Sequence, residues 1–153
     1  MGGRKMKANN KARIEVLARS ENIGFVRMSV ATFASQLDFT LGELEEIKVA
    51  VSEGISNSVL HAYPGKEEGM VFIELEIDGD TLYLTIEDRG QGIEDPEEVL
   101  EPAYSSSDRM GLGFAFIKSF MDSFELQSSP GKGVLLRMER SAGVKDRAKS
   151  EED

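Results

Sequence analysis

Residues 33–63 read FASQLDFTLGELEEIKVAVSEGISNSVLHAY, and their pattern decides the architecture. Thr40 followed three residues later by Glu43 is a capping-box pattern, which opens a helix that runs to about Ala62 before Pro64 and Gly65 stop it. Leu44, Ile47, Val51 and Ile55 form one apolar stripe along it, and Glu46, Ala50, Glu53, Asn57 and Leu60 fall roughly opposite. Glu53 and Asn57 lie one turn apart and project together. Alone, such a pair reads as a solvated helix face. It also suits a Glu that polarises a hydroxyl beside an Asn whose side-chain carbonyl holds a hard cation.

Upstream of this helix, Ala12, Ile14, Val16 and Ala18 alternate with polar or charged residues and predict a short strand. Ser20 or Asn22 then caps a first helix whose stripe is Ile23, Val26, Val30, Phe33 and Leu37, with Arg27 off that stripe. Downstream, Val71 to Ile77 and Leu82 to Ile86 alternate as a hairpin turning near Gly79. A loop-rich stretch from Asp88 to Met110 holds one short helix after Asp95 and Pro96. Gly111 to Met121 reads as a helix, and Phe124–Ser128 with Val134–Met138 closes the chain as a second hairpin around Pro130, Gly131 and Gly133. The order β, α, α, β, β, α, β, β predicts an α+β fold, a two-layer sandwich with helices on one face of a mixed, mostly antiparallel sheet.

With 153 residues, 40% hydrophobic and 30% charged, the chain fits one globular domain, expected over residues 11–140 with tails at 1–10 and 141–153. No cysteine is present, which excludes disulfides, thiolate metal sites and a cysteine nucleophile; one histidine excludes a multi-histidine metal centre. The longest stretch without a charged residue, Gly54 to Gly65, has 12 residues and is too short to span a bilayer. A cytoplasmic protein is expected. Residues 1–13 carry five bases and no acid, whereas residues 14–140 carry ten bases and 24 acids, a net charge of −14. That body repels phosphate backbones, so direct nucleic-acid binding is disfavoured and a basic protein partner favoured.

Two further groups carry chemistry. Asp88, Gly90 and Gly92 in EDRGQGI leave the first hairpin, where a carboxylate and close backbone approach can meet a flat ligand. Arg109, Gly111, Leu112 and Gly113 in RMGLGF open a helix, where free N–H groups and the helix dipole favour phosphate. Either group alone is equally a turn or a helix start. Met28, Met110 and Met121 give no cofactor signal, and Phe25, Phe33, Phe114, Phe116 and Phe120 are expected in the core.

In this order, the three groups resemble the nucleotide site of the histidine-kinase-like (Bergerat) ATPase superfamily. Glu53, Asn57, His61 and Tyr63 stand in its Glu-x-x-x-Asn-x-x-x-His-x-Tyr arrangement. Within that superfamily the chain is similar to bacterial anti-sigma factors that are also serine/threonine protein kinases, most closely the sporulation anti-sigma-F type, over about residues 12–140. The resemblance implies that Asp88 accepts from the adenine amino group of ATP or ADP, and that Asn57 binds a bridging Mg²⁺. Backbone at Gly111, Leu112 and Gly113 would cradle phosphate with Arg109 beside it, and Glu53 would orient and deprotonate a substrate serine. Residues 98–107 would form a lid. It further implies a homodimer that binds a sigma factor and an anti-anti-sigma protein through a region including Arg27. A stress-response anti-sigma kinase and a non-catalytic, ATP-dependent binding module are the alternatives. Three departures from the pattern stand out: Gly54 replaces the usual Ala, Val134 after Gly-Lys-Gly replaces a Thr or Ser whose hydroxyl reaches adenine through water, and the lid residues Ala103 to Asp108 match poorly.

Overall fold

The computed structural model describes residues 9–65, 68–101 and 109–143. Strands β1 (Asn10–Leu17), β2 (Met70–Asp78), β3 (Thr81–Asp88), β4 (Ser123–Ser128) and β5 (Val134–Ser141) form one sheet in the order β1-β2-β3-β5-β4. Every pairing is antiparallel, in keeping with the expected mostly antiparallel sheet, and no parallel pair occurs among the described strands. The chain forms this pattern because β4 takes the edge and β5 turns back between β4 and β3. The second half thereby joins the first without a parallel contact.

Helices α1 (Ile23–Ala34), α2 (Leu41–His61), α3 (Pro96–Val99) and α4 (Arg109–Phe120) complete the fold. The alternation of the strands puts Val71, Ile73, Leu75, Ile77, Leu82, Leu84 and Ile86 on the covered face, all 2% exposed or less. Glu74 and Tyr83 stand on the open face, so the expected two-layer α+β arrangement is present. Helix α2 is the central helix, packed between α1 and α4. That position explains one departure from the sequence reading. Ala50, expected opposite the apolar stripe, is fully buried, because α2 is covered from its sides as well as by the sheet.

Local signals place the elements. Thr40 Oγ1 accepts from Glu43 N–H at 3.1 Å and Glu43 Oε1 accepts from Thr40 N–H at 2.9 Å, so both halves of the capping box are formed, a cap worth about 1 kcal/mol. At α1 the expected side-chain cap is absent. A 3₁₀ turn over Ser20–Asn22 precedes the helix, and Asn22 Nδ2 donates instead to the Leu17 carbonyl at 2.9 Å. Leu37 lies past the end of α1, yet still packs on the core. Phe25 and Phe116, expected inside, are 57% and 38% exposed; Phe114 alone of the five is deeply buried.

The last strand carries a feature absent from the sequence reading. Arg140, 1% exposed, donates to Glu46 Oε1 and to the Phe120 carbonyl, each at 2.8 Å, with Glu43 Oε2 at 3.5 Å. It ties the start of α2 to the end of α4. The strand also runs on through Ser141, assigned to a tail by the sequence, and Ala142 N–H donates to the Asp80 carbonyl. Among the described residues no helix is long and apolar enough to cross a membrane.

Candidate functional site

A cavity opens between α2, α4 and the ends of β3 and β5. Gly54, Asn57, Ser58 and His61 line it from α2, Ile86 and Asp88 from β3, Gly92 and Ile93 from the following loop, Met110 and Phe114 from α4, and Val134 and Leu136 from β5. Its walls are mainly apolar, and polar atoms converge at a few points, the character of a small-molecule site.

Asp88, 2% exposed, marks the closed end. Its Oδ1 accepts from Gly90 N–H at 3.0 Å and Val134 N–H at 3.2 Å, and its Oδ2 accepts from the Ser58 hydroxyl at 2.8 Å. The loop that follows is pinned to the end of α2. Gln91 N–H donates to the Ala62 carbonyl, Gln91 Nε2 to the His61 carbonyl at 2.7 Å, and the Gln91 carbonyl accepts from Gly131 N–H. A Cβ on Gly90 would strike the Ala62 carbonyl oxygen, so Gly90 serves this packing and stands behind the cavity. Gly92, at φ 77°, takes the left-handed conformation that favours glycine, and lines the cavity itself. Tyr63 braces the same loop: its hydroxyl donates to the Met70 carbonyl at 2.6 Å and accepts from Arg89 N–H at 2.8 Å. Burial pushes the Tyr63 phenol above its ordinary pKa.

Along α2, Asn57 and His61 lie one turn apart on the cavity wall. Asn57 Nδ2 and His61 Nε2 are both buried without a hydrogen-bond partner. Buried polar atoms are nearly always satisfied, so this pair is what a wall looks like when a polar ligand completes it. One turn further back, half-buried Glu53 lies against α4, where a Cβ on Gly113 would come within 2.8 Å of Glu53 Oε1. The sequence reading treats Gly113 as part of a free phosphate cradle. It is instead the fifth residue of α4, inside the hydrogen-bonded body of the helix, and its lack of a side chain leaves room for the carboxylate. Gly111 in the first turn is buried and Leu112 is 41% exposed. Arg109 begins α4, and its expected phosphate contact falls outside what the structure describes, as does most of the expected lid, residues 102–107.

Gly54 has a structural reason. A Cβ there would lie 2.7 Å from Ile86 Cδ1 and 3.2 Å from Leu136 Cδ2, so its absence lets α2 approach the sheet beside Asp88. Arg27, off the apolar stripe of α1, is half-buried and donates to Ser52 Oγ at 3.4 Å. Exposed Phe25 and Met28 share its helix.

The cavity suits a nucleotide. Asp88 offers an acceptor at the end of an apolar slot, and the unpartnered Asn57 and His61 atoms offer polar contacts further out. A metal ion fits only as the nucleotide's companion. Among the described residues no three His, Cys, Asp or Glu side chains converge, and the Asn57 side-chain amide on the cavity wall could supply one oxygen to a Mg²⁺ that keeps waters and phosphate oxygens as its other ligands.

Sequence reasoning missed Ser58, Met110, Gln91 and the Val134 N–H. Ser58 was within reach: it extends the stripe Ile47, Val51, Ile55 by one more turn, and a hydroxyl on a buried face needs a partner.

Comparison with known proteins agrees with this geometry. Residues 16–140 match the family model described as histidine kinase-like ATPase domain. The chain is 46% identical over 135 residues to an anti-sigma F factor of Clostridium perfringens, covering 86% of this chain and 96% of that protein. It is 40% identical over 140 residues to an anti-sigma F factor of Clostridium beijerinckii, covering 90% and 98%. In fold it is similar to the histidine kinase domain of the Erythrobacter litoralis EL346 blue-light activated histidine kinase, with a TM-score of 0.56 at 18% identity, over 79% of this chain and 59% of that one. The chain belongs to the histidine kinase-like ATPase family, and within it to the family of the anti-sigma F factors.

Proposed function

We propose that the protein is an anti-sigma factor that sequesters an RNA polymerase sigma factor, of the sporulation sigma-F kind, and uses Mg-ATP to phosphorylate a serine of its anti-anti-sigma antagonist. The observation that carries the nucleotide part is the cavity itself: a buried Asp88 acceptor at its end, with the unpartnered Asn57 Nδ2 and His61 Nε2 along its wall. The anti-sigma part is supported by the names of its relatives.

In this reading Asp88 takes the adenine amino group. Asn57 would hold the Mg²⁺, which when bound neutralises phosphate charge. Glu53 takes the proton of the substrate serine as its oxygen forms a bond to the γ-phosphorus, and ADP leaves with the electrons of the bond that breaks. Such a transfer asks mostly for positioning and charge stabilisation, so one well-placed carboxylate suffices. The partner surface lies on α1, where Arg27 adjoins exposed Phe25 and Met28, and the protein acts as a cytoplasmic homodimer.

Isotope-labelled ATP tests the reading. With the antagonist present, the label is expected on one of its serines. Label recovered only as inorganic phosphate would make the protein an ATPase. Bound ATP with no label moved would make it a non-catalytic module.

A further inference from the structure

Asp88 has four lone-pair sites on its carboxylate, and the protein fills three. Gly90 and Val134 N–H groups occupy Oδ1, and the Ser58 hydroxyl occupies one site of Oδ2 at 2.8 Å. Ser58 is itself 4% exposed and is the one side-chain hydroxyl among the described residues that line the cavity. Val134, bonded to the other carboxylate oxygen, offers Asp88 a backbone N–H and no hydroxyl. The carboxylate is rigid, but its side-chain torsions are soft, so donors on Oδ1 alone leave the group able to pivot about that oxygen. A donor on Oδ2 removes that freedom.

We propose that Ser58 is a positioning residue for base selection. Its hydroxyl, supplied from α2, holds Asp88 so that the remaining Oδ2 lone pair meets an amino group at the 6-position of a purine. This rests on the reading of the cavity as an adenine-nucleotide site. The consequence is chemical. Adenine has an amino donor at C6, whereas hypoxanthine has a carbonyl there and an N–H at the neighbouring ring nitrogen. A fixed Asp88 bonds the first and sets lone pairs against the carbonyl of the second. An Asp88 free to turn can accept from the ring N–H and so tolerate either base. Ser58 acts through Asp88 to set the preference for ATP over inosine triphosphate.

Calorimetric titration of the full chain with each nucleotide tests this. Ser58→Ala is expected to lower the ATP-over-inosine preference about tenfold, the equivalent of one hydrogen bond to a charged group. Ser58→Thr, which keeps a hydroxyl at this place, is expected to retain most of it. Should Ser58→Ala fail to fold, Ser58→Cys, with its weak donor, reads the same preference. A residue that merely packs would weaken both nucleotides alike, so an unchanged preference in the variant without the hydroxyl overturns the proposal. Asp88→Asn separates the two layers of the argument. If it abolishes the preference while Ser58→Ala does not, only the role of Ser58 falls; if neither variant changes it, the adenine reading falls as well.

Discussion

Asp88 and Glu53 are the two carboxylates of the proposed site, and they stand in different surroundings. Asp88 is fixed by three donors, two of them backbone N–H groups from its own loop and from β5, and the loop is further pinned to α2 through Gln91. Glu53 lies half-buried where α2 packs on α4, with Gly113 leaving the space for its carboxylate. The base end of the cavity is therefore completed by the same hydrogen bonds that fold the chain. In the proposed reading the transfer end lies where α2 meets α4.

Asn57 lies between the two ends, so Asn57→Ala is expected to damage both, lowering phosphate transfer by ~100-fold or more and weakening ATP measurably by calorimetry, since it removes the metal's protein ligand. Transfer at the normal rate would detach Asn57 from the site. Asp88→Asn is expected to affect the base end alone. It should weaken ATP and ADP equally, by about 1.5–3 kcal/mol, because the contact is made to the base and not to the γ-phosphate. A loss confined to ATP would place Asp88 at the wrong end.

Tyr63→Phe probes the brace behind Asp88. Removing its hydroxyl leaves the Arg89 N–H and the Met70 carbonyl without that partner, a loss of about 1 kcal/mol in urea unfolding. Burial raises the phenol's pKa in the folded state. Its stabilisation is thus complete below the unfolded value of about 10 and is lost as pH rises through the higher folded value. The stability gap between wild type and Tyr63→Phe should narrow over that alkaline range; a gap independent of pH would mean that the phenol contributes only packing.

What was legible in the sequence was what neighbouring residues decide. The capping box at Thr40 and Glu43 placed α2, alternation placed both hairpins, and two of the residues singled out for chemistry, Asn57 and Asp88, line one cavity. Contacts between distant segments escaped. The antiparallel return of β5, the burial of Ala50 and the grip of Arg140 on Glu46 depend on which helix faces which strand, and no local pattern encodes that. Arg27 and Phe25 show the converse. Arg27 was read from its place off the apolar stripe and Phe25 from its residue type, but α1 turns Arg27 back to Ser52 and leaves Phe25 outside.

The central claim is that Glu53 performs chemistry at a site whose nucleotide is held by other groups. Single-turnover transfer from saturating ATP to the antagonist, measured for Glu53→Gln, tests it most directly. The amide keeps the shape of the side chain but is too weak a base to accept the serine proton, so the rate should fall by ~100-fold or more while ATP affinity stays at the wild-type level. Transfer at the wild-type rate would make Glu53 structural and contradict the account.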